Sequence, residues 1–254
     1  MSDVQAAIEF RDVSFFLGDG RRLLAHLSLT VAPGETLVFL GRSGSGKTTT
    51  MKLINRLLDP TSGEVRVQGT ATTDWDPIRL RRRIGYVIQE IGLFPHLTVE
   101  ENVGVVPRLE GWPAQKIERR ARELLAMVSL EPALFARRYP GELSGGQRQR
   151  VGVARALAAD PPIILLDEPF GALDPITRLE IQEEFRSLQK TLNKTSVFVT
   201  HDVSEALALA SRIGLLKDGE LIVLGPPGDL LNSEDPEARA FARCYHETTT
   251  PSLS

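Results

Sequence analysis

The residues Gly41-Arg42-Ser43-Gly44-Ser45-Gly46-Lys47-Thr48 have the types and spacing of a phosphate-binding loop, G-x-x-x-x-G-K-[ST]. Glycines at these positions let backbone N–H groups turn inward around an anion. A helix opening at Lys47, with Thr49 in its first turn, adds the positive end of its dipole. The Lys47 ammonium can reach β- and γ-phosphates, and the Thr48 hydroxyl is a ligand for Mg²⁺. A second charged segment, Asp167-Glu168-Pro169, follows an apolar run at 163–166. Two acids at the end of a buried strand are costly unless something there needs charge. Beside a phosphate loop, Asp167 is expected to assist Mg²⁺ and Glu168 to polarise an attacking water. A third segment, Leu143-Ser144-Gly145-Gly146-Gln147, places a serine three residues before a glutamine. That is a capping box with Ser144 at N-cap and Gln147 at N3. Gly145 and Gly146 leave the helix start uncovered, so that its N–H groups can face an external anion.

These residues need strands and helices to hold them. Asp19-Gly20 can turn a hairpin between strands at 7–16 and 23–31. TLVFL at 36–40 is a short buried strand leading into the phosphate loop, and a helix is expected from about 47 to 58. IGYVIQ at 84–89 is another strand, ending on Gln89. From about 98 to 159 the pattern is helical. Thr98-Val-Glu-Glu101 fits a capping box, and Ile117, Ala121, Leu124, Leu125 and Val128 form an amphipathic stripe. Strands return at 163–166 and 196–200, with a helix at 176–192 between them. A strand, a Lys217-Asp218-Gly219 turn and a strand follow at 213–224. The expected fold is an α/β P-loop NTPase core of RecA-like type, at 1–90 and 160–230. It carries an N-terminal antiparallel β-subdomain and a helical subdomain inserted at about 91–159. The tail at 231–254 is polar and expected to be short and frayed, with no regulatory domain.

Composition narrows the function. Thirty Lys+Arg against 33 Asp+Glu give a net charge of −3 over 254 residues. A nucleic-acid binder should carry a basic excess. The cluster RLRRR at 79–83 therefore reads as a solvated face. No apolar run approaches the ~18–20 residues that cross a bilayer, and the N-terminus has no signal-peptide pattern. One cysteine, Cys244, rules out an intrachain disulfide and Cys-rich zinc sites. A reduced, cytoplasmic setting is expected.

Together, GRSGSGKTT, LSGGQ, the DEPFGALD run at 167–174 and Thr200-His201-Asp202 resemble the ATP-binding cassette (ABC) ATPases, in the family's motif order. The resemblance implies a composite site in a dimer. Gly41–Thr49 of one chain would face Ser144, Gly145, Gly146 and Gln147 of a second copy, with two Mg-ATP between them. Gln89 matches the glutamine that senses Mg²⁺ and the attacking water. Asp174 matches the aspartate that bridges the two sites. His201 matches the histidine that holds the γ-phosphate and the water at Glu168. The family stacks adenine on an aromatic residue. That position falls at Leu17, with Phe15 and Phe16 just before it, so Phe16 and Leu17 both stand as candidates.

The segment at 84–112 resembles that of osmoprotectant importers, which take up glycine betaine, carnitine, choline or proline-type solutes. The resemblance implies a membrane permease as partner, a solute-binding protein acting indirectly, and a place on the cytoplasmic face of the cell membrane. It also implies that the segment at 91–97, with Phe94 as apolar anchor, receives a short helix of the permease. An importer ATPase for another small solute, such as an amino acid, and a soluble ABC ATPase without a membrane partner are the alternatives.

Overall fold

The structure is a computed structural model and describes residues 5–89, 92–171 and 173–249. In chain order the first elements are β1 (Ile8–Phe16), β2 (Arg22–Val31), β3 (Thr36–Leu40), α1 (Lys47–Ile54), β4 (Ser62–Val67), β5 (Thr70–Ala71) and α2 (Pro77–Arg82). Next come β6 (Ile84–Val87), α3 (Val99–Val103), α4 (Val105–Leu109), α5 (Ala114–Met127), α6 (Pro132–Phe135), α7 (Gly145–Leu157) and β7 (Ile163–Asp167). The last are α8 (Pro175–Leu192), β8 (Thr195–Thr200), α9 (Val203–Leu209), β9 (Arg212–Lys217), β10 (Glu220–Gly225), α10 (Pro227–Leu231) and α11 (Pro236–Thr249). Two compact units result, one made of Met1–Leu80 with Thr195–Ser254 and one of Arg81–Lys194.

The first unit contains an antiparallel sheet in the order β2-β1-β4-β5. Its hairpin pairs Ile8 with Val31 and Phe10 with Leu29, and turns through Gly20 at φ 84° as expected. Leu27, Leu29 and Val31 are buried while the residues between them face solvent, the alternation of a half-buried strand. The unit's other strands run β10-β9-β3-β8, with β3 parallel to both β8 and β9. All of β3 is buried, which suits its unbroken apolar run. Asp218 and Gly219 both take left-handed conformations in the turn from β9 to β10. Helix α1 stops at Ile54, short of the expected 58, because Arg56 turns left-handed at φ 52°.

The second unit holds the parallel pair β6 and β7, with Ile84 opposite Ile163 and Val87 opposite Leu166. Helices α3 to α7 lie between them in the chain. The expected stripe on α5 buries Ala121, Leu124 and Leu125. Thr98 and Glu101 form their capping box at α3. Helix α7 packs on α3, α5 and β6. It runs so close to β6 that a Cβ on Gly85 would lie 2.4 Å from the Ala156 carbonyl oxygen.

The C-terminal stretch is not frayed. Asp235 accepts from the N–H groups of Glu237 and Ala238 at 2.7 and 3.2 Å and caps α11. Ala238 and Ala242, one turn apart, are buried. Two alanines in a polar segment give little hydrophobic signal, which is why composition alone pointed to a loose tail. Residues 250–254 lie outside the described residues.

Candidate nucleotide site

In the first unit the phosphate loop leaves the carboxyl end of β3. Gly41 has φ 155°, and a Cβ on it would meet the Leu216 carbonyl oxygen at 2.3 Å and Ser45 Oγ at 2.6 Å. Gly46 has φ 103° and would bring a Cβ within 2.7 Å of Leu23 O and Leu24 Cδ2. Only glycine meets both demands. Gly46 is the N-cap of α1 and, having no side chain, gives that helix no side-chain cap. Lys47 is buried, and its Nζ donates to the carbonyls of Gly41 at 2.7 Å and Arg42 at 2.8 Å. The ammonium is thus curled over its own loop. Ser45 Oγ is buried with no partner among the described residues. An orphaned hydroxyl inside a phosphate loop fits a phosphate oxygen. Ser43 and Gly44 are exposed, and Thr48 and Thr49 are half-buried in the first turn.

His201 is exposed one residue beyond β8. Leu40 and Thr200 are register partners in parallel strands, so the phosphate loop and His201 leave adjacent strands at the same end. Thr200 Oγ1 donates to buried Glu205 Oε2 at 2.6 Å and accepts from Asp202 N at 3.0 Å. Asp202 caps α9 by accepting from Ser204 N at 2.8 Å. The backbone around His201 is therefore fixed on both sides. Phe15 is buried in the core whereas Phe16 is 42% exposed, which leaves its ring face accessible to a base.

In the second unit Gln89, Asp167 and Glu168 come together at the carboxyl ends of β6 and β7. Gln89 Nε2 donates to Glu168 Oε2 at 3.4 Å. Tyr86 Oη donates to Asp167 Oδ2, also at 3.4 Å. Burial, and then the charge of Asp167, push the Tyr86 phenol well above its ordinary range, so it stays protonated and remains a donor. Glu168 has φ 44°. A left-handed glutamate is strained, and such strain gathers where a side chain has to be aimed. Of the segment expected after Gln89, residues 90 and 91 lie outside the described residues, as does Ala172 in the run that leads to Asp174.

Ser144 Oγ accepts from Gln147 N at 3.2 Å, and Ser144 N donates to Gln147 Oε1 at 3.0 Å, completing the expected capping box at α7. The two glycines differ from expectation. Gly145 is open, with nothing nearer to an added Cβ than Leu173 Cδ2 at 4.0 Å, but Gly146 would bring one within 2.6 Å of Thr177 Cγ2 on α8. Gly146 is thus also required for packing. Asp174 caps α8 by accepting from Thr177 N at 3.1 Å. Hydrogen bonds from Thr177 hold its carboxyl below the usual range.

In the second unit Gln89 and Asp167 offer an amide and a carboxylate oxygen; in the first unit Thr48 offers a hydroxyl. Gln89 spends its NH₂ on Glu168, which leaves Oε1 for a metal. These are hard donors that suit Mg²⁺, which takes few protein ligands and completes its octahedron with phosphate and water. No group of three His, Cys, Asp or Glu that could hold a metal unaided exists among the described residues. Donors of this chemistry suit an ion that also takes phosphate and water oxygens.

The family model described as ABC transporter matches residues 24–171. The chain belongs to the ABC transporter family. This cassette is 54% identical over 230 residues to the choline transport ATP-binding protein OpuBA of Bacillus subtilis, a match covering 91% of this chain and 60% of that protein. It is 54% identical over 226 residues to the glycine betaine/carnitine/choline transport ATP-binding protein OpuCA of the same species, covering 89% and 59%. The chain thus spans less than two thirds of the length of these relatives. Among solved structures, a dimeric post-hydrolysis state of the cassette MJ0796 bound to ADP and Pi matches with TM-score 0.77 and 38% identity, covering 87% of this chain and 98% of that one.

Three features of the cassette escaped the sequence. Arg42, inside the phosphate loop, is held by Glu237 of α11. Tyr86 braces Asp167. Asn102, fully buried, donates from Nδ2 to the carbonyls of Phe94, Leu97 and Thr98 at 3.1, 3.0 and 2.9 Å, and its Oδ1 accepts from Phe94 N at 2.7 Å. Each joins residues that no local pattern connects.

Proposed function

We propose that the chain is the ATP-hydrolysing subunit of an importer. Two copies close around two Mg-ATP and power uptake of a compatible solute through a membrane permease. The observation that carries hydrolysis is a strained Glu168 hydrogen-bonded to Gln89, in a chain that also bears a phosphate loop. The solute class rests on likeness to transport proteins for choline, glycine betaine and carnitine. It is a quaternary amine such as these, or proline. A solute-binding protein delivers it outside, and the subunit sits at the cytoplasmic face. No helix among the described residues is long and apolar enough to cross a membrane.

Each residue then has a role. Lys47 leaves its own carbonyls for the β- and γ-phosphates, and the loop N–H groups with Ser45 Oγ bind their oxygens. Phe16 stacks on adenine. Thr48, Gln89 and Asp167 hold Mg²⁺, which when bound neutralises charge building on the phosphates. Glu168 takes the proton of the attacking water as its oxygen bonds to the γ-phosphorus and the bond to the ADP oxygen breaks. His201 holds the γ-phosphate. Ser144 and Gln147 of the second copy, with Gly145 and Gly146 between them, close over the same phosphate. Asp174 links the two sites.

The permease docks beside Phe94. That ring is 43% exposed, and it lines a cavity of about 320 Å³ together with Arg81, Arg82, Tyr86, Val105 and Arg155. Asn102 keeps the loop in shape, so a push on Phe94 is passed along the segment toward Gln89. Phe94→Ala should leave basal hydrolysis unaltered and lose stimulation in vesicles containing permease.

Glu168→Gln is the test of the whole assignment. Gln keeps the shape but cannot accept the proton, so turnover should fall ~10²–10⁴-fold while ATP binding persists and holds two chains together. A variant that still turns over ATP places the base elsewhere. In vesicles with the permease, hydrolysis that responds to an amino acid but not to quaternary amines would reassign the solute.

A further inference from the structure

Arg42 is the second residue of the phosphate loop, and its main chain is a junction. Its carbonyl accepts from Lys47 Nζ at 2.8 Å and from Ser45 N at 3.2 Å. The orientation of this one carbonyl therefore sets the place of both the loop's ammonium and its buried serine. On either side stand Gly41 at φ 155° and, two residues on, Gly44 at φ 81°, conformations that only glycine adopts cheaply. The residue at the junction has soft backbone before and after it. It needs an anchor from elsewhere.

That anchor comes from the opposite end of the chain. Arg42 Nε and Nη2 donate to Glu237 Oε1 and Oε2 at 2.5 and 3.4 Å. The guanidinium is 72% exposed but the carboxylate only 11%. A two-point Arg–carboxylate pair fixes direction as well as distance. Glu237 is itself held in place. It lies in the first turn of α11, its N–H is bonded to Asp235 Oδ1 at 2.7 Å, and Asp235 N donates to Ser233 Oγ at 3.2 Å. Helix α11 also packs on α9, which begins two residues after His201. One helix thus touches the phosphate loop through a side chain and supports the element that follows His201.

We propose that Glu237 is a positioning residue of the nucleotide site: through Arg42 it fixes the phosphate loop, and α11 thereby sets the affinity for nucleotide. The proposal rests on the loop binding nucleotide as argued above. A buried, pre-placed carboxylate removes motion from the loop before the phosphates arrive, so less ordering is left for the ligand to impose.

Titration of the purified full chain with ADP, followed by calorimetry, tests this. Glu237→Gln keeps the shape but removes the charge, and Arg42→Ala removes an exposed side chain without opening a cavity. Each should raise the ADP Kd about three- to ten-fold, equivalent to about 0.7–1.4 kcal/mol. The double variant should be no weaker than either single one, because both break the same link. Arg42→Lys, which keeps the charge but not the fork, should fall between. The thermal midpoint without nucleotide should hold in Arg42→Ala, while the upward shift produced by ADP shrinks. A purely structural ion pair would lower the first and leave the second. Wild-type ADP affinity in Arg42→Ala and Glu237→Gln, or additive losses in the double variant, overturn the proposal. Should Glu237→Gln fail to fold, Arg42→Ala and Arg42→Lys decide alone. A native chain that binds no ADP would instead overturn the nucleotide-site reading itself.

Discussion

Two helix starts in this molecule are expected to meet the same phosphate, and they are built in opposite ways. Helix α1 opens on left-handed Gly46 with no side-chain cap, under a lysine bent back on its own loop. Helix α7 opens on a complete reciprocal box between Ser144 and Gln147. The first has no side chain at its N-cap position. The second satisfies two of its own donors, Ser144 N and Gln147 N. Even so, a serine hydroxyl that accepts from Gln147 N still has a proton to donate, and Gly145 leaves room for an approaching oxygen. The difference implies a division of labour. On the proposed reading, helix α1 would bind nucleotide within one chain, and α7 would add its contact only when a second chain brings its nucleotide close.

The largest test of that division is Lys47→Ala. It removes the one charge that must leave the loop carbonyls for the phosphates. ADP affinity of the isolated chain should fall by at least about 10²-fold, as measured by calorimetry. If affinity survives, the loop N–H groups suffice and the ammonium acts only in turnover.

Next in size is Gly146→Ala. Its Cβ would sit 2.6 Å from Thr177 Cγ2. Overpacking of this kind costs about 1–3 kcal/mol, readable in denaturant unfolding. ADP binding at α1 should be unchanged by it. Ser144→Ala should cost less, about 1 kcal/mol for a lost cap. It too should spare ADP binding by the single chain, yet depress ATP turnover by the dimer. Ser144→Ala with reduced single-chain affinity would erase the distinction between the two starts.

The same contrast explains what was legible in the sequence. The phosphate loop and the capping boxes are each a fixed local spacing, and the boxes meet their backbone demands within one turn, although Gly41 and Gly46 are also hemmed in by Leu216, Leu23 and Leu24. The strands at 36–40 and 163–166 carried their burial in unbroken apolar runs, and both were legible to within a residue. What was hidden joins distant positions. Arg42 and Glu237 are 195 residues apart, and Gly146 owes part of its identity to Thr177 on another helix. Asn102 looked like one more polar residue on a short helix, because four hydrogen bonds into a loop leave no trace in periodicity. Helix α11 was missed for a related reason: its buried face is two alanines and a glutamate, and none of these announces a core.

A third helix start sharpens the comparison by the smallest effect. Helix α8 is capped by Asp174, a charged group where α7 uses a neutral one and α1 none. Hydrogen bonds from Thr177 hold the Asp174 carboxyl below its ordinary value. A depressed pKa means that the folded chain prefers the ionised form. The stabilisation is therefore fully present above the unfolded aspartate value of about 3.9 and is lost as pH falls through the lower folded value. Asp174→Asn keeps an acceptor oxygen at N-cap but has no proton to gain, and it gives up the favourable charge at the positive end of the helix. At pH 7 the native chain should unfold at a slightly higher temperature than the variant. As pH falls below about 3.9 the gap between the two melting temperatures should narrow, since every other carboxylate is common to both and cancels in the difference. A gap that persists unchanged to the acid end would mean that the charge of Asp174 does nothing for α8, leaving its contact with a second chain as the only role for that charge.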